Sequence, residues 1–102
     1  MEKSGEGLTS QERVFEIIRQ LCDSHIAGLT NKELAAALKT SEANICRDMA
    51  LFERNAWVIR GNGARWRLSP TFGGYAGRIM RSYQEARLRL TEEEAKFASA
   101  MQ

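Results

Sequence analysis

Histidine and cysteine are scarce in this chain: His25, Cys22 and Cys46 are the only ones among 102 residues. Two thiols make no disulfide framework, and the three groups together fall short of a four-ligand zinc site. Cys22 and His25 stand in a C-x-x-H spacing, but Cys22 shares an apolar helical stretch with Ile18 and Leu21. A half-buried thiol is therefore expected there rather than a ligand. No apolar run approaches the roughly 20 residues of a membrane span. No Gly-rich phosphate loop follows a strand. Proline occurs once, glycine eight times, and the 43% hydrophobic and 27% charged fractions exclude a disordered or fibrous chain. The polar start Met1-Glu2-Lys3-Ser4-Gly5-Glu6 lacks the apolar stretch of a signal peptide. The expectation is one cytoplasmic domain with a short appendage, no enzymatic activity, no cofactor, no metal and no membrane partner.

Lysine is missing from positions 41–90, where all nine basic residues are arginine. Against them stand only Glu42, Asp48, Glu53 and Glu85, while the segments on either side are net acidic. Arginine presents a planar fork that suits phosphates and guanine edges. A segregated basic region of this kind points to a polyanion partner.

Residues 1–8 read as a disordered leader. Thr9-Ser10-Gln11-Glu12 is a capping box, and Val14, Ile17, Ile18, Leu21 and Cys22 then share one helical face, predicting a first helix over 10–25. Ala27-Gly28-Leu29 breaks it. Thr30-Asn31-Lys32-Glu33 is a second capping box, with Leu29 and Leu34 placed as a hydrophobic staple, and predicts a helix over 31–38. After Lys39-Thr40, Ser41 is the next N-cap, and Ile45, Met49 and Phe52 form a third apolar stripe in a helix over 41–55. Trp57-Val58-Ile59-Arg60 and Ala64-Arg65-Trp66-Arg67-Leu68 flank Gly61-Asn62-Gly63, the pattern of a two-stranded hairpin over 57–68. Ser69-Pro70 ends the second strand and 71–74 read as a linker. From Tyr75 the pattern is helical again, through Ile79, Met80, Tyr83, Ala86 and Leu90. Thr91-Glu92-Glu93-Glu94 is a third capping box that either starts a short helix or lies within a continuing one.

This order predicts a mainly α fold: a three-helix winged helix-turn-helix with a two-stranded β-wing over 9–70, then a C-terminal helical segment over 75–102. The expected core is Ile17, Leu21, Leu34, Leu38, Ile45, Met49 and Phe52. Residues 10–74 resemble the DNA-binding domain of IclR-type transcriptional regulators. The resemblance rests on Leu29-Thr30, Glu33-Leu34-Ala35, Ser41, Asn44-Ile45, Arg47, Met49 and Phe52, then Trp57-Val58 and Arg65-Trp66-Arg67-Leu68-Ser69-Pro70. It covers about two thirds of the chain. Lys39 stands where that family usually has Gly, and Ala56 where Gly is usual before the wing, so Asn55 is expected to take the left-handed conformation instead. No counterpart of the family's ligand-sensing domain is expected, and no small-molecule effector.

The resemblance and the pattern together imply a small sequence-specific regulator of transcription, a repressor acting by occupancy of double-stranded DNA. The third helix would enter the major groove and present Glu42, Asn44, Arg47 and Asp48 to base edges. Thr30, Asn31 and Lys32 at the second helix's start, Ser41, and Arg60, Asn62, Arg65 and Arg67 on the hairpin would contact the backbone. Trp57 and Trp66 are expected in the core or wing base rather than as stacking platforms. A homodimer through 75–102 is expected to double the footprint. The rival reading is a winged-helix adaptor that binds protein within a replication or recombination complex.

Overall fold

A computed structural model describes residues 7–102; the first six residues of the expected leader lie outside the described residues. The described residues are mainly helical, with four helices and one two-stranded antiparallel sheet among them. It divides into two compact units, one ending at Phe72 and one running from Gly73 to Gln102.

In the first unit, α1 spans Ser10–Asp23, α2 Asn31–Leu38 and α3 Glu42–Arg54. Each starts where a side chain satisfies an orphan amide. Thr9 accepts from the Glu12 amide at 3.1 Å, Thr30 from the Glu33 amide at 3.1 Å, and Ser41 from the Asn44 amide at 3.1 Å. Glu12 and Glu33 reach back to complete two capping boxes. α1 stops two residues short of the expected end, because residues 24–27 close a turn in which the Gly28 amide donates to the Ser24 carbonyl at 2.7 Å. Gly28 is required there. Its φ is +76°, and a Cβ would lie 2.7 Å from the Trp66 carbonyl oxygen. That close approach joins Leu29 to Trp66 by two backbone hydrogen bonds, at 3.1 and 2.8 Å.

α2 ends in Lys39 at φ 53°, a left-handed residue that costs a non-glycine side chain modest strain. The expectation for the end of α3 is corrected. Asn55 stays at φ −94° and Ala56 takes the left-handed conformation at φ 60°. In this right-handed geometry the Asn55 side chain donates to the Leu51 carbonyl at 2.9 Å.

The hairpin pairs β1, Val58–Arg60, with β2, Trp66–Leu68, in the register Val58↔Leu68, Ile59↔Arg67 and Arg60↔Trp66. Its connection is a short 3-10 turn, Asn62–Ala64, closed by the Gly61 amide on the Arg65 carbonyl at 2.8 Å. Trp66 and Leu68 are buried while Arg65 and Arg67 alternate outward and are half-buried. All seven expected core residues lie in one cluster, joined by Ala35, Val58, Trp66 and Leu68. Trp57 packs between Phe52 and Phe72, with ring centroids 6.2 and 5.0 Å away, as a core aromatic.

Residues 71–74 are not a linker. α4 runs from Pro70 to Ala100 without a break, and Thr91 lies inside it. The Ser69 hydroxyl accepts from the Phe72 amide at 3.2 Å, so Ser69 caps the helix and Pro70 fills its first position. With the helix begun there, Gly73 and Gly74 are carried in its interior at a cost of about 1 kcal/mol each relative to alanine.

Candidate nucleic-acid interface

The apolar stripe of α3 faces the core, so the line opposite it faces outward. That line is Ala43, Arg47, Ala50 and Arg54, all exposed. Two alanines let another surface approach the helix backbone closely, and two arginines give it charge. Ala43 and Ala50 were not singled out from sequence, although their position opposite Ile45, Met49 and Phe52 was the signal for them.

Glu42 is exposed in the first turn, where the helix dipole favours a carboxylate. Asn44 is half-buried, its amide donating to the Thr40 hydroxyl at 2.9 Å while its carbonyl oxygen accepts from Arg47. Arg47 is thus held on the outer face by its neighbour one turn back. Ser41 is exposed and committed to the cap.

Asp48 corrects the sequence-based expectation of an outward base contact. It is 7% exposed and forms a bidentate pair with Arg13 of α1: Nε to Oδ2 at 2.7 Å and Nη2 to Oδ1 at 3.1 Å. At 100° per residue Asp48 sits 40° from Phe52 and 60° from Ile45, on the flank of the apolar stripe away from Met49, and there it meets α1 rather than solvent. The carboxylate holds the Arg13 guanidinium above its ordinary value, chiefly through the hydrogen bonds. Arg13 was missed from sequence. It stands beside Val14 on the flank of the stripe of α1, and only the packing of α1 on α3 reveals its partner.

At the start of α2, Thr30 is committed to its capping box. The Asn31 side chain ties three elements together. Its oxygen accepts from the Trp66 indole at 2.8 Å and its nitrogen donates to the Cys46 sulfur at 3.3 Å. Lys32 is exposed. What the α2 terminus offers a ligand is therefore the Lys32 ammonium and first-turn amides rather than the Thr30 or Asn31 side chains.

The hairpin arginines are positioned by specific partners. Arg65 donates to Glu33 at 2.8 Å and to the Gly28 carbonyl at 3.0 Å. The Glu33 carboxyl is held below its ordinary range, first by the Thr30 amide and then by the Arg65 charge, which outweigh its desolvation. Arg67 donates through Nε to the His25 carbonyl at 2.8 Å. Arg60 lies over the Trp66 ring, 4.6 Å from its centroid. Asn62 is exposed in the turn. The structure thus places Arg60, Arg65 and Arg67 on one hairpin, Arg60 on the face it shares with Trp66 and Arg65 and Arg67 on the other, with Arg65 partly neutralised by Glu33.

Both cysteines are exposed free thiols, so the expected half-burial of Cys22 is not met: at 100° per residue Cys22 lies 100° from Leu21 and 140° from Ile17, well off the stripe that those two bury. Among the described residues, no cluster of three or more His, Cys, Asp or Glu is placed to hold a metal, and no helix is long and apolar enough to cross a membrane. No protein-family model, curated protein or solved structure matches the chain.

Proposed function

We propose that residues 9–70 form a winged helix-turn-helix that binds double-stranded DNA in the cytoplasm, and that the protein is a sequence-specific regulator repressing transcription by occupancy. The observation that carries this reading is the outer line of α3: Arg47 and Arg54 with Ala43 and Ala50, on a helix whose opposite face is wholly committed to the core. A helix fits the major groove when its backbone can come close, and small residues allow that. Arg47 is the base-reading residue in this arrangement, suited to guanine, with Asn44 fixing its direction and Glu42 discriminating against unfavourable sequences. Asp48 supports α3 through Arg13 and touches no base. Arg60, Arg67 and Lys32, with the α2 amides, serve the phosphate backbone; Arg65 contributes less because Glu33 offsets its charge.

Selection of bound duplexes from fragmented genomic DNA would yield a preferred site. On that site, Arg47→Ala should lose about 1–3 kcal/mol of binding while keeping its affinity for random duplex. Arg67→Ala should weaken both equally and lower the salt slope by about one. Equal losses on both duplexes for Arg47→Ala would show that α3 reads no bases. A folded protein that enriches no DNA would instead favour the protein-binding adaptor.

A further inference from the structure

The second unit carries a repeat that the proposed DNA contacts do not use. Within α4, positions 76, 79, 83, 86, 90, 93, 97 and 100 follow the alternating three–four spacing of a coiled-coil seam. Seven of the eight are Ala76, Ile79, Tyr83, Ala86, Leu90, Phe97 and Ala100; the exception is Glu93. Ile79, Tyr83, Leu90 and Phe97 are each more than half exposed. The seam lasts more than three heptads, long enough to specify helix pairing.

We propose that this seam binds a second copy of itself in antiparallel orientation. Three features of the helix select that occupant. The spacing reads the same in both directions, so reversing one helix brings every seam position opposite a seam position of the other copy. The layers then match in size and chemistry: Ile79 meets the second copy's Phe97, Ala86 its Leu90, Ala76 its Ala100, and Tyr83 its Glu93. The last layer places a phenol hydroxyl where it can donate to the carboxylate, and the two-fold axis repeats it. Parallel in-register pairing would set Glu93 against the second copy's Glu93 within the seam, a like-charge layer.

Charge along the helix selects the same direction. Arg78, Arg81, Arg87 and Arg89 dominate the first part, and Glu92, Glu93 and Glu94 the second. Antiparallel pairing brings the second copy's three glutamates level with positions 82–84, between Arg81 and Arg87. Parallel pairing stacks arginines on arginines and glutamates on glutamates. The proposal needs only α4 and stands apart from DNA binding.

The test uses the full chain carrying Cys22→Ser and Cys46→Ser, with Ala76→Cys or Ala100→Cys added singly. Sedimentation at micromolar concentration should show a dimer, and circular dichroism should show an unchanged helical spectrum. On mild oxidation an equimolar mixture should give the mixed disulfide between the two variants, and neither variant alone should cross-link. Leu90→Asp should raise the dimer dissociation constant on the order of 30-fold. Cross-linking of each single variant to itself would establish a parallel pair and overturn the proposal. So would a folded chain that sediments as a monomer. Neither result depends on DNA, so failure here is distinguishable from failure of the DNA-binding reading.

Discussion

Glu33 performs two tasks with one carboxylate. It closes the capping box of α2 on the Thr30 amide at 2.9 Å and pairs with Arg65 at 2.8 Å. Both contacts favour its charged form, so its folded-state value lies below the unfolded one. The stability it contributes is therefore complete above the unfolded carboxylate range and is lost as pH falls through the folded value. Glu33→Gln should be less stable than the parent at neutral pH, with the difference closing in acid; denaturant melts across pH check this. Asp48 belongs to a more buried pair. Removing it strands the Arg13 guanidinium, whose side chain is 11% exposed, and Asp48→Ala should cost about 3–5 kcal/mol in urea unfolding. Position 48 also marks a limit of periodicity. A polar residue beside an apolar stripe is equally compatible with solvent or with an ion pair on a neighbouring helix, and only the packing of α1 on α3 decides. Position 56 is similar: residue type favoured Asn55 for the left-handed turn, but Asn55 stays right-handed, with its side chain on the Leu51 carbonyl, and Ala56 makes the turn.

At the scale of elements, the starts of α1, α2 and α3 were legible because each depends on bonds within four residues. Thr9, Thr30 and Ser41 accept from amides three positions on, and the sequence displays both ends of each bond. Ser69-Pro70 carried a signal of the same kind, yet it also satisfies the rule for a strand end. The two glycines that follow favoured a linker. The Ser69 cap decided otherwise, and the helix absorbs the glycines. Gly73 and Gly74 have nothing within 4 Å of an added Cβ and no positive φ. Gly73→Ala and Gly74→Ala should each stabilise α4 by about 0.5–1 kcal/mol and raise the helical signal in circular dichroism. A loss of helix would show that this stretch needs glycine. The opposite outcome is expected at Gly28, where a Cβ meets the Trp66 carbonyl at 2.7 Å. Gly28→Ala should destabilise the junction of hairpin and helices.

At the scale of the whole molecule, the larger helical part of the core was readable from three stripes, because Ile17, Leu21, Leu34, Leu38, Ile45, Met49 and Phe52 repeat at helical spacing, while Val58, Trp66 and Leu68 join it only through the packing of the hairpin. Phe52 touches both the helical core and Trp57, and Phe52→Ala should cost about 3–5 kcal/mol, much of the stability of a small domain. The candidate interface was less legible. Sequence marks arginines, but not that Glu33 offsets Arg65, that Trp66 holds Arg60, or that Arg13 draws Asp48 inward. What survives is a basic hairpin beside a helix with an open outer face, and DNA binding requires that face to meet the duplex. The most direct measurement is fluorescence anisotropy of a labelled random duplex titrated with the full chain at rising salt. Binding at low salt that falls linearly in log affinity against log salt, with a slope of roughly −3 to −4 for three to four phosphate contacts, is the predicted result. A folded chain that leaves the duplex unbound at low salt would contradict it.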